Sequence, residues 1–216
     1  ISLLASLAFG GWVDYREILV EGIASLTPGE IEFAGSAGFV IKLIASAVLV
    51  DGAPAVTVFP ALVPAEHPLA LVRNEVNAVF VEGDFLGPAL FLGRGAGGDP
   101  TASAVAADLG DLARWANSGA HTPAPSIDAA RRLALHPYGE IPYRFFYHFV
   151  TENRPGIWAS VTGRLADNGI NIESVHQKWE DRRLPSDLYI LVDEAPERQA
   201  RKALQDVCAC PGIDAA

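Results

Sequence analysis

Gly93-Arg94-Gly95-Ala96-Gly97-Gly98-Asp99-Pro100-Thr101-Ala102-Ser103-Ala104-Val105 sets four glycines within six residues, directly before a helix start. Asp99 is predicted as the N-cap, Pro100 suits the first helical position, and Thr101 adds a polar group to the first turn. Ala104, Val105, Leu109, Leu112 and Ala113 then recur at helical spacing up to Trp115. Two readings fit the glycines. Bare backbone N–H groups approach an anion or a polar ring without side chains in the way, or a tight strand-to-helix turn needs positive φ. The run Gly93 to Gly98 completes G-x-G-x-x-G, yet no βαβ unit follows. The position about twenty residues on, where a dinucleotide fold carries an acid, falls near Trp115 and Asn117. The loop therefore does not by itself specify a Rossmann domain, and a cofactor touching it is expected to be held mostly elsewhere.

The 216 residues are enough for one large or two small domains, and a hydrophobic content of 50% marks a globular chain. A net charge of −10, with basic residues grouped no further than pairs such as Arg131-Arg132, argues against a nucleic-acid partner. The longest apolar run, Leu43 to Val50, is strand-sized, so no membrane partner is expected. Ile1 to Gly10 lacks the charged flank of a signal peptide and reads as an amphipathic helix entered midway. Cys208 and Cys210 form C-x-C without a second pair. Neither a zinc site nor a disulfide is expected, and no metal ligand is assigned. They read as ordinary buried residues of a reducing compartment. The chain holds no Met and opens inside a helix, so a portion of a longer protein is expected.

Residues 1–117 mix helix and strand signals. Thr27-Pro28-Gly29-Glu30 has capping-box spacing ahead of a helix that Gly38 ends. Val40 to Val50 and Ala55 to Pro60 read as strands joined by the Asp51-Gly52 turn. Further strands are predicted over Asn77 to Gly83 and Ala89 to Leu92, with a short helix over His67 to Val72. Together they make an α+β layer, an antiparallel or mixed sheet with helices on one side. Residues 118–139, rich in Pro, Gly and Ser, read as a linker. Residues 140–216 follow the order β-α-β-β-α with a further strand begun at Ile213, the ferredoxin-like arrangement.

This second unit resembles an ACT domain. The resemblance rests on Val150-Thr151-Glu152-Asn153-Arg154-Pro155-Gly156-Ile157-Trp158-Ala159, on Leu165 to Ile172, and on Ser174-Val175-His176-Gln177. The first unit resembles the catalytic region of homoserine dehydrogenase. That resemblance rests on Leu7 to Gly10, Val20 to Ile23, Gly38 to Leu43, Val58 to Pro64, His67 to Leu69, Asn77 to Asp84 and Gly93 to Asp108. It implies a cytoplasmic, NADP- or NAD-dependent oxidoreductase of amino-acid biosynthesis, interconverting L-homoserine and L-aspartate 4-semialdehyde. It also implies that the nucleotide-binding domain and the proton-transfer Asp and Lys precede this stretch, so no catalytic residue is assigned here. Gly97, Gly95 and Thr101 fall where the family contacts the nicotinamide end of the cofactor. Asn153, Pro155, Gly156 and Ile157 fall where ACT domains hold an amino-acid effector, with L-threonine the expected ligand. A homodimer through the sheet, and ACT–ACT pairing, are the implied assemblies. The alternative is a regulatory and oligomerisation piece without activity of its own.

Single residues leave choices open. Lys42, amid Ile41, Leu43 and Ile44, either pairs with a carboxylate at a subunit interface or snorkels. Glu82 and Asp84 read as solvated acids at a hairpin end. His67 reads as a helix cap. His176 and Gln177 either face an effector or form a plain polar edge. Trp158, where Leu is commoner, adds bulk beside the effector position. The aromatic strand from Tyr143 to Phe149 reads as core on one face and a packing interface on the other.

Overall fold

Two twelve-residue strands, β2 (Phe39–Val50) and β3 (Ala53–Pro64), pair antiparallel in unbroken register from Phe39 opposite Pro64 to Val50 opposite Ala53. Between them Asp51 and Gly52 hold φ values of 50° and 79°, the left-handed pair that a two-residue hairpin needs. β1 (Leu19–Val20) joins β3 in parallel, so the sheet is mixed, in the order β1-β3-β2. The computed structural model describes residues 1–118, 127–128, 130–178 and 185–215. Among them no helix is long and apolar enough to cross a membrane.

The expected opening helix, α1 (Ser2–Phe9), forms, but its buried stripe is small. Ala5 and Ser6 are buried, while Leu3, Leu4 and Leu7 are exposed. The Ser6 hydroxyl accepts from Val13 N–H (2.9 Å) and donates to the Ser2 carbonyl (2.8 Å), a close approach that bulky side chains would block. α2 (Pro28–Ser36) starts with the expected capping box. Glu30 N–H donates to Thr27 Oγ1 (3.3 Å), and Glu30 Oε2 accepts from Thr27 N–H (2.6 Å). Gly38, at φ 83°, turns the chain into β2. The Lys42 ammonium donates to the Val72 carbonyl (2.5 Å) and ties β2 to the 3-10 turn Pro68–Leu71. His67 caps that turn as expected, its Nδ1 accepting from Leu69 N–H (3.1 Å). A separate hairpin of β4 (Val76–Gly83) and β5 (Gly87–Arg94) follows, then α3 (Gly98–Ser118).

Within the expected linker, residues 119–126 and 129 lie outside the described residues. The part beyond is bonded to the first unit. Trp12 N–H donates to the Arg131 carbonyl (2.7 Å), Leu133 N–H to the Trp12 carbonyl (2.9 Å), and His136 N–H to the Pro54 carbonyl (2.8 Å). Leu133 and Leu135 complete a small core with Ala5, Val13, Ile18 and Val56. The buried carboxylate of Asp14 is gripped by Arg16 from its own turn and by Arg132 from this strip.

The second unit is ferredoxin-like. β6 (Pro142–Thr151), α4 (Ile157–Asp167), β7 (Ile172–Lys178), β8 (Ser186–Pro196), α5 (Glu197–Cys208) and β9 (Ile213–Ala215) build an antiparallel sheet in the order β7-β8-β6-β9. The turn expected over Asp181 to Pro185 falls mostly outside the described residues. Ile157, Val161 and Leu165 of α4 and Ala200, Ala203 and Val207 of α5 bury one face against Tyr147, Phe149, Leu188, Ile190 and Val192. The fold is thus α+β, a mixed sheet followed by a ferredoxin-like unit, as expected. Cys208 and Cys210 are free thiols, half-buried rather than buried, because Cys208 ends α5 and Cys210 lies in the turn beyond it.

The Asp14 carboxyl is held well below the usual carboxylate range, first by Arg16 and then by Arg132. A depressed folded-state value stabilises the fold above the ordinary Asp range, and that gain is lost as pH falls through the depressed value. Asp14→Asn should therefore lower the denaturation midpoint at neutral pH and flatten its fall as pH drops below the ordinary Asp range. Denaturant melts across this window check it; parallel curves for the two proteins would refute it.

Candidate functional site

The glycine loop has a closed side and an open side. Gly95 donates its N–H to the Glu75 carbonyl (3.0 Å) and lies so close to the Asn77 amide that any Cβ would overlap it. Gly93 and Gly98 would present a Cβ to open space. Gly97 sits at φ 122°, a left-handed value that other residues avoid. Its carbonyl accepts from Thr101 N–H (3.2 Å) and from the Thr101 hydroxyl (2.9 Å). Gly95, Gly97 and Thr101 are therefore brought together, with Thr101 turned back onto the loop. α3 begins at Gly98, so Asp99 lies in the first turn rather than at the N-cap. Pro100 follows among the first helical residues, whose N–H groups have no partner within a helix, so its missing donor costs nothing. Val105, Leu109, Leu112 and Trp115 form an exposed stripe along this helix, 44% to 61% accessible.

A second locus lies at the start of α4. Glu152, Asn153, Arg154, Pro155 and Gly156 are exposed between β6 and the helix. The helix starts at Ile157 instead of Pro155, because Gly156 adopts the left-handed conformation (φ 91°) and serves as the cap without a side-chain bond. The Ile157 side chain is buried in the core, so only its backbone faces the loop. Beneath this loop runs a hydrogen-bonded chain. Trp158 Nε1–H donates to Gln177 Oε1 (3.0 Å), Gln177 Nε2–H to Ser186 Oγ (2.7 Å), and Ser186 Oγ lies 3.0 Å from Thr151 Oγ1. Thr151 and Ser186 are almost fully buried. The bulk expected of Trp158 is spent on holding Gln177. Sequence reasoning missed Thr151 and Ser186 as parts of the site, since small hydroxyls at strand ends carry no pattern of their own.

His176, next to Gln177, points to the opposite face of the sheet. There α2 docks. Phe33 stacks on Tyr189 (4.8 Å between ring centres) and Phe146 (5.3 Å), and tilts against His176 (5.6 Å). Lys178 pairs with Glu32 (2.6 Å). His148 lies buried between Glu30 Oε1 (3.2 Å) and Asp187 Oδ1 (3.0 Å). The aromatic strand thus serves two faces, core on one and α2 on the other. Beside this contact a cleft of about 790 Å³ separates the β2–β3 hairpin from β6 and α5, with Ser46, Thr57, Phe59, Tyr138, Tyr143 and Arg201 on its walls. Burial, with Glu197 nearby, pushes the Tyr138 phenol up to about 12. Glu82 and Asp84 are exposed at the end of the β4–β5 hairpin, as expected. Among the described residues no cluster of metal-ligating side chains occurs.

An α+β unit with a glycine loop at a helix start, joined to a ferredoxin-like module, defines a two-part class of protein. Comparison with known proteins specifies it. The homoserine dehydrogenase family model matches residues 1–109 and the ACT domain model residues 149–209. The chain belongs to the homoserine dehydrogenase family. It is 33% identical over 219 residues to the homoserine dehydrogenase of Corynebacterium glutamicum, covering 99% of this chain and 48% of that protein. It is 34% identical over 182 residues to that of Pseudomonas aeruginosa, covering 82% of this chain and 42% of that one. A crystal structure of a homoserine dehydrogenase from Thiobacillus denitrificans superposes with a TM-score of 0.86 at 31% identity, over 99% of this chain and 49% of that one. The chain spans about half the length of the relatives it matches.

Thr151 supplies the buried hydroxyl on which the Gln177–Ser186 chain ends. Thr151→Val keeps the shape and deletes that partner. It should cost about 0.5–1.5 kcal/mol, the net worth of one hydrogen bond, because the Ser186 hydroxyl keeps Gln177 and the Thr151 carbonyl as partners. Urea denaturation of the two proteins measures it, and equal stabilities would mean the network is not anchored at Thr151.

Proposed function

We propose that the protein containing this chain interconverts L-homoserine and L-aspartate 4-semialdehyde with NADP or NAD, in threonine, methionine and isoleucine biosynthesis. The observation that carries this reading is the family match over residues 1–109, continued by the ACT match over 149–209. A bound nicotinamide cofactor supplies the hydride chemistry. The contribution of this chain is positional. The open side of the loop at Gly93 and Gly98 suits close approach of a ring to the main chain, which a Cβ would obstruct. The Thr101 hydroxyl fixes the Gly97 carbonyl, and Asn77 backs Gly95, so the loop is shaped before anything binds. On this reading the proton-transfer groups and the nucleotide domain belong to the part of the relatives that this chain does not match. The exposed stripe of α3 fits a helix that works against a further surface. The purified 216-residue chain should accordingly oxidise no homoserine with either cofactor, and turnover above background would refute this assignment of roles.

Val79, Phe91 and Leu92 on the β4–β5 hairpin and Leu43, Val48 and Leu49 on β2 are exposed, which supports a homodimer through these strands. The ACT unit is the regulatory part, with L-threonine as effector at Asn153, Pro155, Gly156 and Ile157. The loop offers the uncapped N-terminus of α4, whose dipole favours a carboxylate, and the hydrogen-bonded floor under Trp158 and Gln177. Coupling of about 1–3 kcal/mol is the usual scale for such regulation. Titration calorimetry of the 216-residue chain with threonine should give saturable heat that Asn153→Ala weakens. Absence of heat at millimolar threonine would leave pairing as the only role of the unit, and unchanged binding in the variant would remove Asn153.

A further inference from the structure

We propose that His148 is a proton-dependent clamp that holds α2 of the first unit against the open face of the ferredoxin-like sheet. The clamp requires neither cofactor nor effector. The side chain of His148 is 6% exposed, and each ring nitrogen faces a carboxylate oxygen, Glu30 Oε1 at 3.2 Å and Asp187 Oδ1 at 3.0 Å. A neutral imidazole has one N–H and one lone pair, so it can serve only one of two acceptors and turns its lone pair on the other. The imidazolium donates to both, and both bonds are charge-assisted. Protonation therefore converts one contact and one repulsion into two bonds, of which the Glu30 bond crosses to α2 and the Asp187 bond anchors the ring within its own sheet.

The carboxylate on the α2 side is already fixed. Glu30 Oε2 accepts from Thr27 N–H (2.6 Å) and from the Thr27 hydroxyl (2.9 Å), so the residue that closes the capping box also meets His148. Loosening His148 thus acts on the start of α2, the helix that leads through Gly38 into β2. The surrounding contacts keep the helix seated in register. Phe33 lies on Tyr189 and Phe146, and Gly29 passes so near the Tyr189 hydroxyl that a Cβ there would lie 2.6 Å from it. Among the described residues, the neighbouring titratable and charged groups have their own environments. Tyr189, 4.4 Å from His148 between ring centres, is a phenol pushed up to about 12 by burial. His176 packs on Phe33, Lys178 pairs with Glu32, and Arg144 pairs with Glu173. His148 joins the two units through Nδ1 and Glu30, while Nε2 holds Asp187 of its own sheet.

The test is hydrogen exchange of the α2 amides in the 216-residue chain, read by NMR at about pH 6 and about pH 8, the range in which histidine changes charge. After correction for intrinsic exchange, α2 protection should fall about ten-fold across this range, the scale of one lost charge-assisted bond. The ¹⁵N shifts of the His148 ring should report two protonated nitrogens at the lower pH. Glu30→Gln keeps a residue that can close the capping box but removes the charge. It should leave α2 helical and abolish the pH dependence, as should His148→Gln, whereas His176→Gln should retain it. A flat profile in the wild type, a persistent ten-fold change in Glu30→Gln, or a neutral His148 ring at both pH values would each overturn the clamp.

Discussion

The Asp51-Gly52 turn is the constraint on which the first unit depends. A side-chain period of two means that a one-residue slip in the β2–β3 pair would exchange both faces of the sheet. The left-handed φ values at both turn residues prevent that slip by fixing a two-residue loop. With the register set, Ala47, Val56 and Val58 lie where α1 and the returning strip with Leu133 and Leu135 can cover them. Ser46 and Thr57, paired on the other face (2.9 Å between hydroxyl oxygens), line the cleft toward the ferredoxin-like unit. The site-bearing parts hang from this hairpin through short tethers, Lys42 to Val72 on one side and His136 to Pro54 on the other.

β6 plays the corresponding part in the second unit. Tyr147 and Phe149 enter the core under α4 and α5, while Phe146 and His148 face α2. A sheet usually leaves one face to water when helices cover only the other. Here the second face is occupied by a helix from the preceding unit, so the two units share a packed aromatic contact. The same strand ends at Thr151, under the α4 loop, and so connects that loop to the α2 contact within a few residues.

Local signals were legible in the sequence where chemistry is local. The Thr27 to Glu30 capping box, the Asp51-Gly52 turn, the His67 cap and the β-α-β-β-α-β order all stand as read, since each depends on residues within one turn or on a simple period. Longer-range partners were not legible. Nothing near Lys42 in the chain points to the Val72 carbonyl thirty residues away, and nothing near Asp14 points to Arg132. The boundaries of α3 and α4 shifted for one shared reason. At both, a glycine able to take positive φ, Gly97 or Gly156, stands at the junction and decides where the helix begins ahead of the proline rule.

Neighbouring polar residues show how far a pattern can go. His176 and Gln177 form one polar doublet in the sequence, and a single role for both is the natural reading. Alternation along β7 sends them to opposite faces. Gln177 joins the buried hydroxyls under the α4 loop, and His176 joins the rings that receive Phe33. Period two predicts that separation, but not which face carries which environment. That assignment requires knowing that α2 covers the outer face, a fact set by Phe33 and Glu30 more than a hundred residues earlier. The roles of the doublet are therefore fixed by tertiary packing, and the same residues on an uncovered sheet would be a polar edge.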